Sequence, residues 1–307
     1  MKVIVFLFCL PSILQAQMLD NSEGNAFTDQ PFFNHQFIKA NKIKKILGHY
    51  STKASMDYIR ENDLIYVYEF DSLGRMTHKY ETVNIAGGKD TIINVYEYNL
   101  KGEMIVHRKS DRNGFYATHY DYDDRGRIIR TEYRRDISKG RDKVDFQLEK
   151  SYMITFETAK YENTSDWEKK VYYNNYEKPF QEKFTYFDDN GYLIKEEEKL
   201  TVHSGRRVTT YEYTEKGMLK SIQKESSVIG KHVNKEEFQY DQFNNLLAKH
   251  IYKDGVYLTE IQVVYDPLTQ LLSAVLTRKV ENDYITILKF DEIEFYGDTI
   301  NQTTYHK

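Results

Sequence analysis

Strand-forming aromatic and aliphatic residues alternate with polar ones in short runs along most of the chain, and many runs end in one recurring phrase. The phrase reads Tyr68–Met76 (YEFDSLGRM), returns as Tyr96–Met104 (YEYNLKGEM) and returns again as Tyr120–Ile128 (YDYDDRGRI). Further, less regular copies follow at 187–193, 211–219, 238–246 and 263–271. Alternation with a period of two is typical of strands. Self-similarity at a nearly fixed spacing predicts a repeat architecture.

Each phrase contains the residues of a tight hairpin turn. Asp71 opens the first turn, because its carboxylate can accept from the backbone N–H two residues on. Gly74 supplies the positive φ that closes such a turn into a bulge. Asn244 stands at that place in a later copy and is the next best residue for it. Thr269 is a poor residue there, so the last turn is expected to differ.

Such a turn fixes which residues face each other across the hairpin. An aromatic residue meets an aliphatic one each time, in the pairs Phe70–Met76, Tyr98–Met104, Tyr122–Ile128, Tyr213–Leu219, Tyr240–Leu246 and Tyr265–Leu271. Farther from the turn the same arithmetic pairs Tyr68 with His78 and Tyr66 with Tyr80, and on the other face Glu97 with Ile105. We therefore expect the tyrosines to form the core face. Recognition would then use the mixed opposite face or the variable loops.

Consecutive hairpins joined by variable loops predict an antiparallel meander. The Asp-equivalent positions 71, 99 and 123, and again 188, 214, 241 and 266, lie 24 to 28 residues apart. The chain beyond residue 41 then has room for roughly 20 strands, and an open sheet that wide must curl, split or wrap. The fold class is therefore all-β, an antiparallel β-hairpin repeat meander that forms a long curled or wrapped sheet. The stretch 124–187 is degenerate and is expected to hold two or three divergent copies.

The beginning of the chain predicts export. Residues 1–17 have the features of a signal peptide: Lys2, a short apolar core and the small-residue site before Gln17. This core is too short to span a bilayer stably, so no transmembrane segment is expected after cleavage. Residues 18–40 have turn composition and are expected to form an extended N-terminal arm. Residues 41–307 are assigned to the repeat β-sheet domain.

Composition narrows the function classes. The net charge of −4 gives no overall attraction to nucleic acid. The single cysteine, Cys9, lies in the predicted signal, so the mature chain has no disulfide and no thiol chemistry. An exported chain without disulfides is typical of a bacterial envelope.

The segment 120–129 (YDYDDRGRII) resembles the YD repeat of RHS-type proteins, which reads Tyr-Asp, two variable residues, Gly-Arg and an aliphatic residue. The resemblance covers most of residues 64–291, and it extends to small exported YD-repeat-like proteins of Bacteroidetes-type bacteria. Large members of the family wrap such hairpins into a hollow shell around a toxic C-terminal domain, or use them on cell surfaces for adhesion and glycan contact. This chain is too short to enclose a passenger. The resemblance therefore implies the architecture, an envelope location and a binding role.

Arginines in the degenerate stretch are the candidate ligand-binding residues. They are Arg125, Arg127, Arg130, Arg134, Arg135 and Arg141. Such a cluster would bind a sulfated glycan or another polyanion. The other interpretation is a solvated strand face, because acids such as Glu132 and Asp136 dilute the charge.

Catalytic signals are weak in this sequence. It contains no nucleophile, zinc-protease or phosphate-loop motif, so no catalytic residue, metal or cofactor is predicted. His107 and His119 could be neighbours across the loop at 110–114, which would be slight grounds for a metal pair.

These features predict an exported, non-catalytic β-repeat protein that binds a surface ligand, either a polysaccharide or an envelope protein. Its location would be the periplasm, the cell surface or the exterior. One alternative is a structural component of the envelope whose sheet edges pair with other chains. Another is a hydrolase whose site lies within 124–187. The oligomeric state stays open.

Overall fold

The computed structural model describes residues 17–141, 143–164, 167–201, 204–228 and 230–297, so the predicted signal lies outside it except for Gln17. Within these ranges one short helix, α1 (His35–Ala40), precedes 18 strands. The strands are β1 (Ile43–Lys53), β2 (Arg60–Phe70), β3 (Met76–Ile85), β4 (Gly88–Tyr98), β5 (Met104–Asp111), β6 (Gly114–Tyr122), β7 (Ile128–Ser138), β8 (Leu148–Asn163), β9 (Trp167–Tyr173), β10 (Pro179–Phe187), β11 (Leu193–Leu200), β12 (Arg206–Tyr213), β13 (Leu219–Ser226), β14 (His232–Tyr240), β15 (Leu246–Lys253), β16 (Val256–Tyr265), β17 (Leu272–Lys279) and β18 (Tyr284–Phe295). No helix among the described residues is long and apolar enough to cross a membrane.

The sheet closes on itself as an antiparallel barrel. Each strand pairs with its neighbours in sequence, and β1 pairs with both β2 and β18, so that Ile46 lies opposite Tyr68 on one side and Ile293 on the other. The prediction of a long curled or wrapped sheet is therefore wrong, although the all-β antiparallel meander is confirmed. Closure pairs the backbone groups that an open sheet leaves exposed on its two outermost strands.

The repeat phrases form tight turns at one end of the barrel, which we call the turn end. In the first, the Asp71 N–H donates to Arg75 O and the Gly74 N–H donates to Asp71 O, both at 2.9 Å. The Asp71 carboxylate accepts from the Leu73 and Arg75 amides, also at 2.9 Å. Gly74 has φ +83° and Asn244 has φ +67°, as the turn requires.

Two turns depart from this pattern. The last is one residue longer, because Gln270 takes the positive φ (59°) that Thr269 avoids. A further turn of the repeat type lies in the degenerate stretch, where Asn174 N donates to Lys178 O and Glu177 N donates to Asn174 O. Glu177 has φ +59° in place of a glycine. This turn connects β9 to β10, whereas the turns at the turn end follow even-numbered strands. Because antiparallel strands alternate in direction, it lies at the opposite end of the barrel, which we call the loop end.

The register next to the turns agrees with the sequence. The confirmed pairs are Phe70–Met76, Tyr98–Met104, Tyr122–Ile128, Tyr213–Leu219 and Tyr240–Leu246. Tyr265 faces Leu272 instead of Leu271, because of the extra residue in the last turn.

Farther from the turns the predicted register is wrong by one residue. Tyr68 faces Lys79 instead of His78, and Tyr66 faces Glu81 instead of Tyr80. Glu97 likewise faces Val106 instead of Ile105. The cause is an irregularity directly after each hairpin turn, which places one extra residue in the returning strand.

The tyrosine face of the strands is the inner face of the barrel. Tyr66, Tyr68 and Tyr96 are buried in one hydrophobic core together with Leu219 and Leu246 from the far side of the ring. The expectation that these tyrosines form the core is confirmed. Apolar burial of this kind contributes roughly 1.5–3 kcal/mol per large side chain.

Residues 17–42 occupy the lumen at the turn end, and we call them the plug. The plug runs inward and back, with Leu19 bridged to Phe33, and then forms α1. Met18, Ala26 and Phe32 are fully buried in the barrel core. The segment 18–40, for which the sequence suggested an extended arm, is thus packed against the inner wall.

The outer face carries many charged residues. One group lies under the loop between β7 and β8, where Arg108 donates to Asp136 at 2.7 Å and the Phe146 ring covers the guanidinium at 4.6 Å. Phe146 also packs on Phe115, and Lys143 of the same loop binds Asp90 at 2.6 Å. This loop therefore folds back over the outer wall of β4 to β7.

Candidate ligand cavity in the barrel lumen

A cavity of about 390 Å³ lies in the lumen against the innermost part of the plug. The plug contributes Phe27, Thr28 and Asp29. The wall comes from the strands on either side of the closure, with the lining residues Tyr50, Tyr66, Tyr68, Lys79, Glu81, Ile261, Val275, Thr277, Thr286 and Leu288. The volume is in the range of small-molecule sites in proteins.

Local sequence and the post-turn irregularity decide which side chains reach this cavity. Tyr66 and Tyr68 share the inner face because alternate residues of a strand point to the same side. On β3 the same rule gives Lys79 and Glu81, because the extra residue after the turn shifts the register by one. Regular pairing would have turned His78 toward the lumen instead.

One wall of the cavity is aromatic. The Tyr50 and Tyr66 rings meet at 6.1 Å between centroids, and Tyr66 and Tyr68 meet at 4.9 Å. The Tyr50 hydroxyl donates to Glu81 Oε1 at 3.3 Å. Burial, together with the Glu81 carboxylate, raises the pKa of Tyr50 well above its usual value. The phenol therefore stays protonated and remains a hydrogen-bond donor at any physiological pH.

The plug side of the cavity is held by ionic contacts. The Asp29 carboxylate accepts from Lys79 Nζ at 2.5 Å and also from Lys109 Nζ. The Tyr96 hydroxyl donates to Asp29 O at 2.7 Å. Partial burial would raise the pKa of Asp29, but the two ammonium groups outweigh it and lower the pKa to about 2. The Asp29 carboxylate is thus ionised and engages both ammonium groups at this end.

The opposite wall is aliphatic with two hydroxyl groups. Ile261, Val275 and Leu288 supply the apolar surface, and Thr277 and Thr286 supply the hydroxyls. The cavity therefore offers apolar and aromatic faces with a few directed hydrogen-bonding groups, which suits a neutral ligand that has both kinds of surface. Across the described part of the chain, no three histidine, cysteine or acidic residues are arranged to hold a metal ion.

The six candidate arginines lie in several places. On the outer face Arg130 and Arg134 both bind Glu132, at 2.8 and 2.7 Å. Arg135 is on the inner face with its guanidinium 4.6 Å from the Tyr116 ring centre. The remaining three divide between the ends: Arg125 and Arg127 at the turn end and Arg141 in the loop-end connection.

The charge of Arg127 is already paired within the protein. It binds Asp123 at 2.7 Å and Glu168 at 3.3 Å, and stacks on Tyr161 at 4.2 Å. A polyanion site at the six arginines stays a prediction. The structure places them on both faces and at both ends of the barrel.

The two histidines considered as a metal pair point to opposite faces. His107 faces Thr118 on the inner wall and binds Asn94 Oδ1 at 2.9 Å. His119 faces Val106 on the outer wall. His107 lies opposite Thr118, and His119 is the next residue along β6. Successive side chains of a strand point to opposite faces, so the suggestion of a metal pair is wrong.

Sequence reasoning missed most of the cavity residues. Tyr66 and Tyr68 carried a signal, since they belong to the repeat phrase. Tyr50, Thr286 and Leu288 carried none, because they reach the cavity only through the pairing of β1 with β18.

No family model matches the chain, and no curated protein matches it. Among solved structures, a porin-like protein from Bacteroides uniformis ATCC 8492 is similar over 81% of this chain and 97% of its own, with 10% identity and a TM-score of 0.36. A porin-like protein from Bacteroides vulgatus ATCC 8482 covers 71% of this chain and 97% of its own, with 9% identity and a TM-score of 0.31. A TcdB2-TccC3-Cdc42 structure covers 78% of this chain but only 15% of its own, with 13% identity and a TM-score of 0.22. Because the TM-scores of these three structures are all below 0.5, the similarity carries no argument about the function of this chain.

Proposed function

We propose that this protein is an exported, non-catalytic binding protein that holds a small hydroxylated ligand of the saccharide class in its lumen. The observation that carries the proposal is the cavity of about 390 Å³ between the tyrosine wall and the plug. It replaces the expectation that recognition uses the mixed face or the loops, since the cavity lies on the tyrosine face.

The chemistry of the cavity favours a neutral sugar. Aromatic rings offer the flat apolar surface on which a sugar ring can stack, and a phenol adds a polar group at its rim. The Tyr50 hydroxyl and the Glu81 carboxylate are positioned to bond sugar hydroxyls, as are Thr277 and Thr286 across the cavity. A polyanion fits less well, because Lys79 is already engaged by Asp29.

The outer wall and the predicted signal support an aqueous compartment outside the cytoplasm. Ion pairs such as Arg130–Glu132 and Glu260–Arg278 lie on the outward face of the strands. Charged groups in such positions are stable in contact with water. We therefore propose the periplasm or the exterior as the location. Barrel closure removes the main support for the alternative assembly role, which needed free sheet edges.

The test is a glycan array followed by calorimetry on the exported protein, with two pairs of variants. Tyr50→Phe and Glu81→Gln change a tyrosine–glutamate pair in the cavity. Tyr80→Phe and Glu69→Gln change a pair of the same kind on the outer face of β2 and β3, with the Tyr80 hydroxyl 3.4 Å from Glu69 Oε2. We expect at least about tenfold weaker binding for each inner variant, as for one lost hydrogen bond to a charged group, and unchanged binding for the outer variants. An array without any bound saccharide, or equal losses from both pairs, would refute the proposal.

A further inference from the structure

A second cavity, of about 380 Å³, lies on a different part of the inner wall. It is formed by strands β6 to β8, the β9–β10 turn and the start of β10, and shares no residue with the first cavity. Its lining is Thr118, Thr131, Tyr133, Thr155, Phe156, Glu157, Asn174 and Phe180.

Register builds a hydroxyl-rich surface here. Tyr133 on β7 lies between Thr118 on β6 and Thr155 on β8. In the adjacent row, Thr131 lies opposite Glu157. Three threonine hydroxyls and a tyrosine thus line the same cavity as one carboxylate, and Phe180 adds an aromatic ring from the neighbouring part of the wall.

The Glu157 carboxylate has no hydrogen bond or ion pair to any described residue. The opposing charge that acts on it is the Lys170 ammonium group. Yet Lys170 Nζ lies over the rings of Tyr172 and Tyr161, at 4.4 and 5.4 Å from their centres. On the outer face of the adjacent strand, Glu132 is bound by two arginines instead. Glu157 is therefore a partly buried carboxylate that lines a cavity and lacks a direct partner.

A partly buried carboxylate is most stable when a cation pairs with it. Aromatic rings beside it also favour a cation, through the negative faces of their π systems. The hydroxyls of Thr118, Thr131 and Thr155 and the Asn174 amide can meanwhile bond to hydroxyl groups of the same ligand. The ligand class that satisfies all three features carries an ammonium group on a polyhydroxylated ring.

We propose that this second cavity binds an amino sugar, with the ammonium group at the Glu157 carboxylate and the ring hydroxyls at the threonines. The site goes beyond the neutral-sugar cavity, because it takes a different ligand through different residues. A lone carboxylate among hydroxyls selects the charged amine over its acetylated form, which offers no positive charge to pair with Glu157.

The experiment compares binding of chitosan oligosaccharides with binding of the matching N-acetylated oligosaccharides, by calorimetry on the exported protein. We expect N-acetylation to weaken binding by at least about tenfold, as for loss of a charge-assisted hydrogen bond. Glu157→Gln should remove this preference. The matched control is Glu162→Gln, an exposed residue farther along the same strand, which should leave the preference unchanged.

Threonine methyl NMR on the unmodified protein gives a second measurement that does not depend on any variant. The Thr118, Thr131 and Thr155 methyl signals should shift on addition of the amino sugar. Equal affinity for the amine and acetylated forms, or a preference that survives Glu157→Gln, would overturn the proposal. Loss of amine binding in Glu81→Gln but not in Glu157→Gln would assign the ligand to the first cavity and would also overturn it. Failure of the neutral-sugar cavity would appear separately, in the Tyr50 and Glu81 variants.

Discussion

The buried ammonium group of Lys79 donates to the Asp29 carboxylate at 2.5 Å and so ties the plug to the barrel wall. The same ammonium also donates to Thr28 O at 3.0 Å. Lys79 reaches this position only because the irregularity after the first hairpin turn directs it inward. A local feature of one turn therefore fixes the innermost part of a segment some fifty residues earlier in the chain, and with it one wall of the first cavity.

The ionic attachment of the plug should depend on pH in a definite direction. Burial opposes ionisation of Asp29, but Lys109 and Lys79 outweigh it and lower its pKa to about 2. The unfolded chain would titrate near 3.9. Because the folded pKa is the lower one, the stabilisation is complete above the unfolded pKa and is lost as the pH falls through the folded pKa. Asp29→Asn should be less stable than the parent at pH 6–8, and the difference should shrink between about pH 4 and 2.

Urea unfolding of the two proteins across this pH range measures the effect. Glu23→Gln is the control, since Glu23 is exposed in the same plug and bonds only to Asn25 among the described side chains. Its unfolding free energy should follow the parent at every pH. A difference between Asp29→Asn and the parent that stays constant down to pH 2 would show that the attachment is not ionic.

Two glycines with nearly the same backbone conformation should respond differently to alanine. Gly74 and Gly102 both have positive φ, at +83° and +88°. A methyl group at Gly74 would lie 2.1 Å from His35 O and 2.7 Å from Lys39 N, whereas none of the described atoms lies within 4 Å of the corresponding position at Gly102. Gly102→Ala should cost about 1–2 kcal/mol, from left-handed strain alone. Gly74→Ala should cost clearly more, because α1 must also move away. Equal losses in urea unfolding would show that α1 does not pack on this turn in solution.

The turn in the degenerate stretch should be improved by glycine. Glu177 occupies the position of Gly74 in its own turn, with φ +59°, and is exposed. An L-residue in this conformation costs about 1–2 kcal/mol. Glycine removes this strain, but the greater entropy of its unfolded chain offsets part of the gain. Glu177→Gly should therefore raise the free energy of unfolding by about 0.5–1 kcal/mol. Glu215→Gly, at an exposed position of another tight turn with negative φ, should lower it instead. Stabilisation by both or by neither would contradict the assignment of this turn.

Turn chemistry determines how much of the fold could be predicted. Asp71 and Gly74 define the hairpin, and this is sufficient to pair Phe70 with Met76 correctly. The extra residue that follows is not visible in the sequence pattern, so the pairing of Tyr68 was predicted one position too early. Glu177 hid a complete turn, because it has the positive φ that glycine or Asn244 has in the other short turns and Gln270 has in the longer last turn.

Closure and the plug could not be predicted, because both depend on contacts between distant parts of the chain. Ile46 pairs with Ile293, and no periodicity within either strand indicates the other. The plug lacks periodicity altogether, since its buried residues Met18, Phe32 and Ile38 meet the wall from a loop and a short helix. The first cavity follows from these two features. The arginine cluster, in contrast, was visible in the sequence, but alternation along β7 separates Arg134 from Arg135.

The ion pair between Arg108 and Asp136 should behave as a buried pair even though it lies on the outer wall. The two side chains are 3% and 0% exposed. The Ser151 hydroxyl also donates to Asp136 Oδ1 at 2.6 Å. Arg108→Met leaves the buried Asp136 carboxylate without a cation and should cost about 3–5 kcal/mol. Asp136→Leu leaves Arg108 its second contact, to the half-exposed Glu97 at 2.7 Å, and should cost less.

The double variant should lose much less than the sum of the single losses, because no buried charge is left without a partner. An exposed pair provides the comparison: Lys44 and Glu294 are 3.4 Å apart with half-exposed side chains, and Lys44→Met should cost less than about 1 kcal/mol. Urea unfolding of the single and double variants gives the coupling energy directly. Additive losses, or single losses as small as that of Lys44→Met, would mean that the loop bearing Phe146 does not cover Arg108 and that the pair is open to water.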